Sequence, residues 1–102
     1  MSDKYVLNDA GEPEMVENLI EWAKAFEKQN RSVAHTETDN GSVSTVFLGL
    51  DHSYGDGPPL LFETMIFGGP FDGEQYRYPT RAEALTGHEL AVERVKAARD
   101  GR

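Results

Sequence analysis

Asp51 and His52 stand side by side where an apolar run gives way to a segment rich in glycine and proline, and Tyr54 and Asp56 follow within that segment. A carboxylate beside an imidazole has two chemistries open to it. Neutral histidine is a ready metal ligand, and with a reference pKa of about 6.5 it also exchanges protons near neutral pH. Two further polar residues occupy positions where an apolar one would be ordinary. Glu63 alternates with Leu61, Met65 and Phe67, and His88 falls on an apolar stripe between Leu85 and Val92. If Asp51, His52, Glu63 and His88 meet in space, they form a site for proton transfer or metal-assisted hydrolysis. Each also has a plainer role. Asp51 and Asp56 suit turns through their side-chain carboxylates. Glu63 has an obvious ion-pair partner in Arg77, opposite or diagonal on the next strand. His88 fits a core position if it is hydrogen-bonded, because an unpaired buried polar group costs about 1–3 kcal/mol. Trp22 is either a partner anchor or an aromatic at the rim of the core.

No metal-ligand set follows from spacing alone, since neither His-x-x-x-His nor Glu-x-x-His occurs. The chain has no cysteine, which removes thiolate metal sites, disulfides and cysteine nucleophiles. Gly-x-Ser-x-Gly, the P-loop pattern and Gly-x-Gly-x-x-Gly are absent, and Gly55-Asp56-Gly57 opens no helix. No cofactor is expected. Eighteen acidic against ten basic residues give a net charge of −8, which opposes generic phosphate binding and favours a partner with a basic surface. Aromatics such as Phe47 and Phe62 offer stacking surfaces, but they are not interleaved with basic residues, so direct nucleic-acid binding is not expected. Tyr5-Val6-Leu7 is too short for a signal-peptide apolar region and no run reaches the roughly 20 apolar residues of a membrane helix. A soluble cytoplasmic protein is the expectation.

The elements that must position these residues follow from periodicity. At 102 residues, 38% hydrophobic and 27% charged, the chain has the size and balance of one packed domain spanning 1–102. Tyr5 to Leu7 predicts a short strand ended by the Asn8 to Gly11 turn. Pro13, flanked by Glu12 and Glu14, predicts the start of a helix running to Gln29, with Met15, Val16, Leu19, Ile20, Ala23 and Phe26 on its apolar stripe and Trp22 at the edge. Arg31 to Thr38 and Ser42 to Leu50 predict a hairpin turned at Asn40-Gly41. In that register His35 faces Val46 and Val33 faces Leu48, while Ala34, Thr36, Thr45 and Phe47 share the opposite face. After the Asp51 to Pro59 loop, Leu60 to Phe67 and Gln75 to Tyr78 predict a second hairpin around Gly68 to Gly73. Thr80 with Glu83 forms a capping box that opens a second helix, buried through Ala84, Leu85, His88, Ala91, Val92, Val95 and Ala98. The order β-α-β-β-β-β-α predicts an α+β fold, an antiparallel sheet of four to five strands with two helices packed on one face.

The segment Val43-Ser44-Thr45-Val46-Phe47-Leu48-Gly49-Leu50-Asp51-His52, with Gly57-Pro58-Pro59-Leu60-Leu61-Phe62-Glu63-Thr64-Met65-Ile66-Phe67-Gly68-Gly69, resembles a family of small proteins encoded by bacteriophages and prophages. The likeness extends through Arg77-Tyr78 and Gly87-His88. It implies a phage-type origin acting inside a host cell and carries no reaction or catalytic residue with it. Small acidic phage proteins often bind a host or phage protein, so the leading expectation is a non-enzymatic interaction protein that modulates or inhibits a host defence or nucleic-acid-handling factor. Its binding residues would be Asp51, His52, Tyr54, Asp56 and Trp22. The competing expectations are a small metal-assisted hydrolase or nuclease using Asp51, His52, Glu63 and His88, and a structural phage component that self-associates through an exposed sheet face.

Overall fold

A computed structural model describes residues 3–53 and 57–98. The chain is α+β, as expected, with the element order β1 (Tyr5–Leu7), β2 (Pro13–Met15), α1 (Leu19–Lys28), β3 (Ser32–Thr38), β4 (Gly41–Phe47), β5 (Phe62–Phe67), β6 (Gln75–Tyr78) and α2 (Arg81–Ala97). Strands β3-β4-β5-β6 form one antiparallel sheet in sequence order, and β1-β2 form a second, two-stranded one. α2 lies across the larger sheet, whereas α1 packs against β1.

The larger sheet and α2 share a layered core. Val43 and Ile66 pack with Ala91, Val92 and Val95, and farther along the helix Phe47, Leu61 and Phe62 pack with Ala84. Burying a Phe or Ile of this kind contributes about 1.5–3 kcal/mol. α2 starts as predicted: Thr80 Oγ1 accepts from Glu83 N at 3.1 Å and donates to Glu83 Oε1 at 3.0 Å. Its buried stripe also matches, with one exception. Leu85 is exposed and Gly87 is buried in its stead.

The helix predicted from Pro13 begins six residues later. Asn8 Oδ1 accepts from Ala10 N and Glu12 N, so the Asn8 to Gly11 turn folds Pro13–Met15 back onto β1, with Tyr5 opposite Met15 and Leu7 opposite Pro13. The true N-cap is Asn18, whose side chain accepts from Glu21 N at 3.0 Å. The inward face of α1 is also rotated from the predicted stripe. Trp22 and Phe26 stack on each other at 4.9 Å, and Phe26 lies against Gly49, while Leu19 and Ile20 are 61% and 66% exposed.

The first hairpin turns one residue earlier than an Asn40-Gly41 turn would. Thr38 pairs with Gly41, leaving Asp39 and Asn40 as the loop, and His35 faces Ser44 rather than Val46. A type I′ turn needs positive φ at both central residues, and no non-glycine residue described has one. Asn40 has another task. Its side-chain amide donates to the carbonyls of Val95, Lys96 and Ala98 at 3.2, 3.3 and 2.6 Å, which caps the C-terminus of α2. A displacement of two residues keeps the side chains of β3 from Ala34 onward on their predicted face, so Ala34, Thr36, Thr45 and Phe47 do lie together. Val33 does not follow its predicted neighbours. An irregularity between Ser32 and Ala34 turns it toward the Phe47 cluster, away from His35.

Candidate functional site

The four residues with chemical potential do not converge. Asp51 closes the loop by accepting from Ser53 N at 2.8 Å and Leu60 N at 3.0 Å. The Ser53 bond, more than any other influence, holds its carboxyl below the ordinary value of 3.8. His52 donates its backbone N–H to the Leu60 carbonyl. Tyr54 and Asp56 lie outside the described residues. Glu63 accepts from Arg77 Nε at 2.9 Å on the sheet face away from α2, with the carboxyl side chain only 14% exposed. The register puts these two directly opposite each other. Trp22 donates its indole N–H to the Tyr5 carbonyl at 3.0 Å, which ties α1 to β1.

His88 is on the other side of the sheet, 1% exposed, in a polar seam between the two apolar clusters. Its Nε2 lies 2.9 Å from Thr36 Oγ1 and its Nδ1 2.8 Å from Thr45 Oγ1, which in turn is 2.5 Å from Thr64 Oγ1. Thr45 and Thr64 are both fully buried. Among the described residues Thr45 is the one hydrogen-bond partner of the Thr64 hydroxyl, and the arrangement that gives the buried Thr64 proton an acceptor has Thr45 donating to His88 Nδ1 and His88 donating from Nε2 to Thr36. Every polar atom of the seam is then paired. Protonating Nδ1 would reverse that chain and strand the Thr64 proton. Burial also pushes the His88 pKa below 6.5, opposed by Glu89 and assisted by His35. This is a neutral, satisfied core histidine. It faces Thr36, Thr45 and Thr64, while Glu63 points to the opposite side of β5.

No cluster of three or more potential ligands suited to a metal occurs among the described residues. No helix among them is long and apolar enough to cross a membrane.

What the residue types did not announce is a groove of about 670 Å³ between β6 and α2. Tyr78 and Gly87 form its floor. A Cβ on Gly87 would lie 2.1 Å from the Tyr78 hydroxyl, so the glycine, otherwise a poor residue inside a helix, is what lets the ring lie against the helix backbone. Leu90, 62% exposed, walls one side. Arg94 closes one end: its guanidinium pairs with Glu74, donates to the Tyr76 hydroxyl and stacks 4.0 Å above Phe71. Arg94 and Tyr76 hold the Glu74 carboxyl below its usual range, and Glu74 in turn raises the Tyr76 phenol. Glu83 also lines the groove. The sequence did contain one signal for it, the glycine at the centre of an otherwise well-formed helix. No family model, curated protein or solved structure matches this chain.

Proposed function

We propose that this is a non-catalytic, phage-type interaction protein that binds a host protein through the β6–α2 groove and so modulates a defence or nucleic-acid-handling factor. The observation that carries the reading is the groove itself: an open, largely apolar hollow beside the last strand of a sheet, in a chain where Asp51, Glu63 and His88 are each engaged in a separate role. The net charge of −8 supports a basic surface on the partner. Nuclease inhibition by occupation of a nucleic-acid site fits that charge, and the resemblance to phage proteins supplies the setting. A hydrolase built on Asp51, His52, Glu63 and His88 would need those groups in one cleft. They stand instead in a loop turn, an ion pair on one sheet face and a buried seam on the other.

The test is direct. Purified protein is immobilised and presented with purified host nucleases and defence effectors, and each is assayed for activity with and without it. Saturable binding that alters turnover is expected for at least one. Retention of none, with all activities unchanged, would sink the proposal.

A further inference from the structure

Resting on that interaction reading, we infer that the groove takes an extended, basic and apolar segment of the partner protein as an added strand on the outer edge of β6. β6 ends the strand order β3-β4-β5-β6, and no strand among the described residues pairs with its outer side. The direction of its backbone groups can be read from its pairing with β5. The Glu74 carbonyl accepts from Ile66 N at 3.0 Å and the Tyr78 carbonyl from Leu61 N at 3.1 Å. Alternation along an antiparallel ladder then turns the N–H and C=O of Gln75 and Arg77 outward. These are the hydrogen-bonding groups that strand addition uses.

The side chains of such a strand would alternate between the two faces of the sheet. Those on the α2 side would enter the groove over Gly87 and Tyr78, with Leu90 as the apolar wall. The opposite edge of the sheet is less open to this, because β3 carries a bulge between Ser32 and Ala34 of the kind that blunts edge pairing.

Charge selects the occupant. Arg94, the arginine that lines the groove, is already committed to Glu74. Glu83, the carboxylate that lines the groove, accepts from Thr80 and makes no ion pair among the described residues. An incoming strand therefore meets an apolar hollow with its lining arginine neutralised and Glu83 without a cationic partner among the described residues, on a chain of net charge −8, which favours alternating apolar and Lys or Arg side chains. A second copy of this chain is a poor occupant, since it brings a charge of −8 against −8.

A short fluorescein-labelled peptide alternating valine and lysine serves as the probe, titrated by polarisation and by amide NMR. The expected result is saturable binding with amide shifts at Gln75, Arg77, Gly87 and Leu90. A valine–glutamate peptide should bind at least about tenfold more weakly. N-methylation of the peptide at one set of alternate residues should abolish binding, and at the other set leave it, because only one set faces the β6 edge; this control leaves the protein untouched. Gln75→Pro removes one outward N–H without touching the β5 ladder, and should weaken binding about fivefold. Equal binding of both N-methylated peptides, equal binding of the acidic peptide, or amide shifts confined to the other sheet face would each overturn the inference. So would a β6-mediated dimer in sedimentation. If the peptide fails while a purified host factor is still bound and modulated, strand addition is wrong and the interaction reading survives; if neither binds, both fall.

Discussion

Thr45→Val is the most informative single change in this protein, because valine has nearly the shape of threonine and removes only the hydroxyl at the centre of the seam. Thr45 Oγ1 partners both His88 Nδ1, at 2.8 Å, and Thr64 Oγ1, at 2.5 Å. The substitution leaves both unpaired in a region fully shielded from water. At about 1–3 kcal/mol for each orphaned group, the expected loss is about 2–6 kcal/mol, a large fraction of the roughly 5–15 kcal/mol typical of a domain. For a chain of this size that lowers Tm by about 10 °C or more. Urea unfolding followed by far-UV circular dichroism and by Trp22 fluorescence measures it, and coincidence of the two curves tests whether the α1 region unfolds with the sheet. Replacing the three buried groups, as Thr45→Val/Thr64→Val/His88→Leu, should recover most of the loss, because the one seam hydroxyl left without its partner is that of Thr36, which is half-buried and within reach of water. The same seam sets a pH dependence. His88 is depressed below 6.5 when folded, so between its folded pKa and 6.5 the unfolded chain binds more protons. Stability is therefore fully present above pH 6.5 and falls on acidification by at most about 1.4 kcal/mol per pH unit, levelling below the folded pKa. His88→Leu should lack this slope. A Thr45→Val protein within about 0.5 kcal/mol of wild type would refute the account of the seam.

Asn40→Ala removes the donor to three carbonyls at the end of α2, and should cost about 1–2 kcal/mol, seen in urea unfolding together with faster amide exchange in the last turn of the helix. Gly87→Ala should run against helix propensity, which alone favours alanine by about 1 kcal/mol; the new Cβ displaces the Tyr78 ring, so thermal unfolding should show a net loss, and a gain would refute that packing. Asp51, whose carboxyl is held below 3.8, contributes stability above that value that is lost as pH falls through its folded pKa. Asp51→Asn should narrow its difference from wild type below about pH 4, measured as urea midpoint against pH.

The elements whose signals are local were legible in the sequence. The Thr80 capping box, the stripe of α2, and the Glu63–Arg77 ion pair across the second hairpin all appear where they were expected. Two departures share one cause, a side chain with a stronger distant or alternative partner. Asn40-Gly41 has the composition of a type I′ turn, yet the Asn40 amide caps a helix more than fifty positions away, and that tertiary bond draws Gly41 into β4. Pro13 has the composition of a helix start, yet Asn8 and Asn18 between them make Pro13–Met15 a strand. Among the candidate site residues, the ordinary roles of Asp51, Glu63 and His88 were all foreseeable from type and position. What periodicity could not supply was which of them share a face, since that depends on packing α2 over one side of the sheet.

The groove was invisible to motif reasoning for a different reason. Its surface is built from backbone groups, which have no residue-type signature, and from the absence of a side chain at Gly87, whose one trace is a glycine inside a helix. Gln75-Tyr76-Arg77-Tyr78 alternates as any strand might, and whether its outer edge is open depends on where the chain goes next. Here Pro79 stops the pairing and the Thr80 cap sends the chain into α2, which crosses back over the sheet instead of extending it. β6 is thereby left as the last strand, beside a helix whose glycine lowers the floor and whose leucine raises the wall. The groove is thus a consequence of topology rather than of any motif.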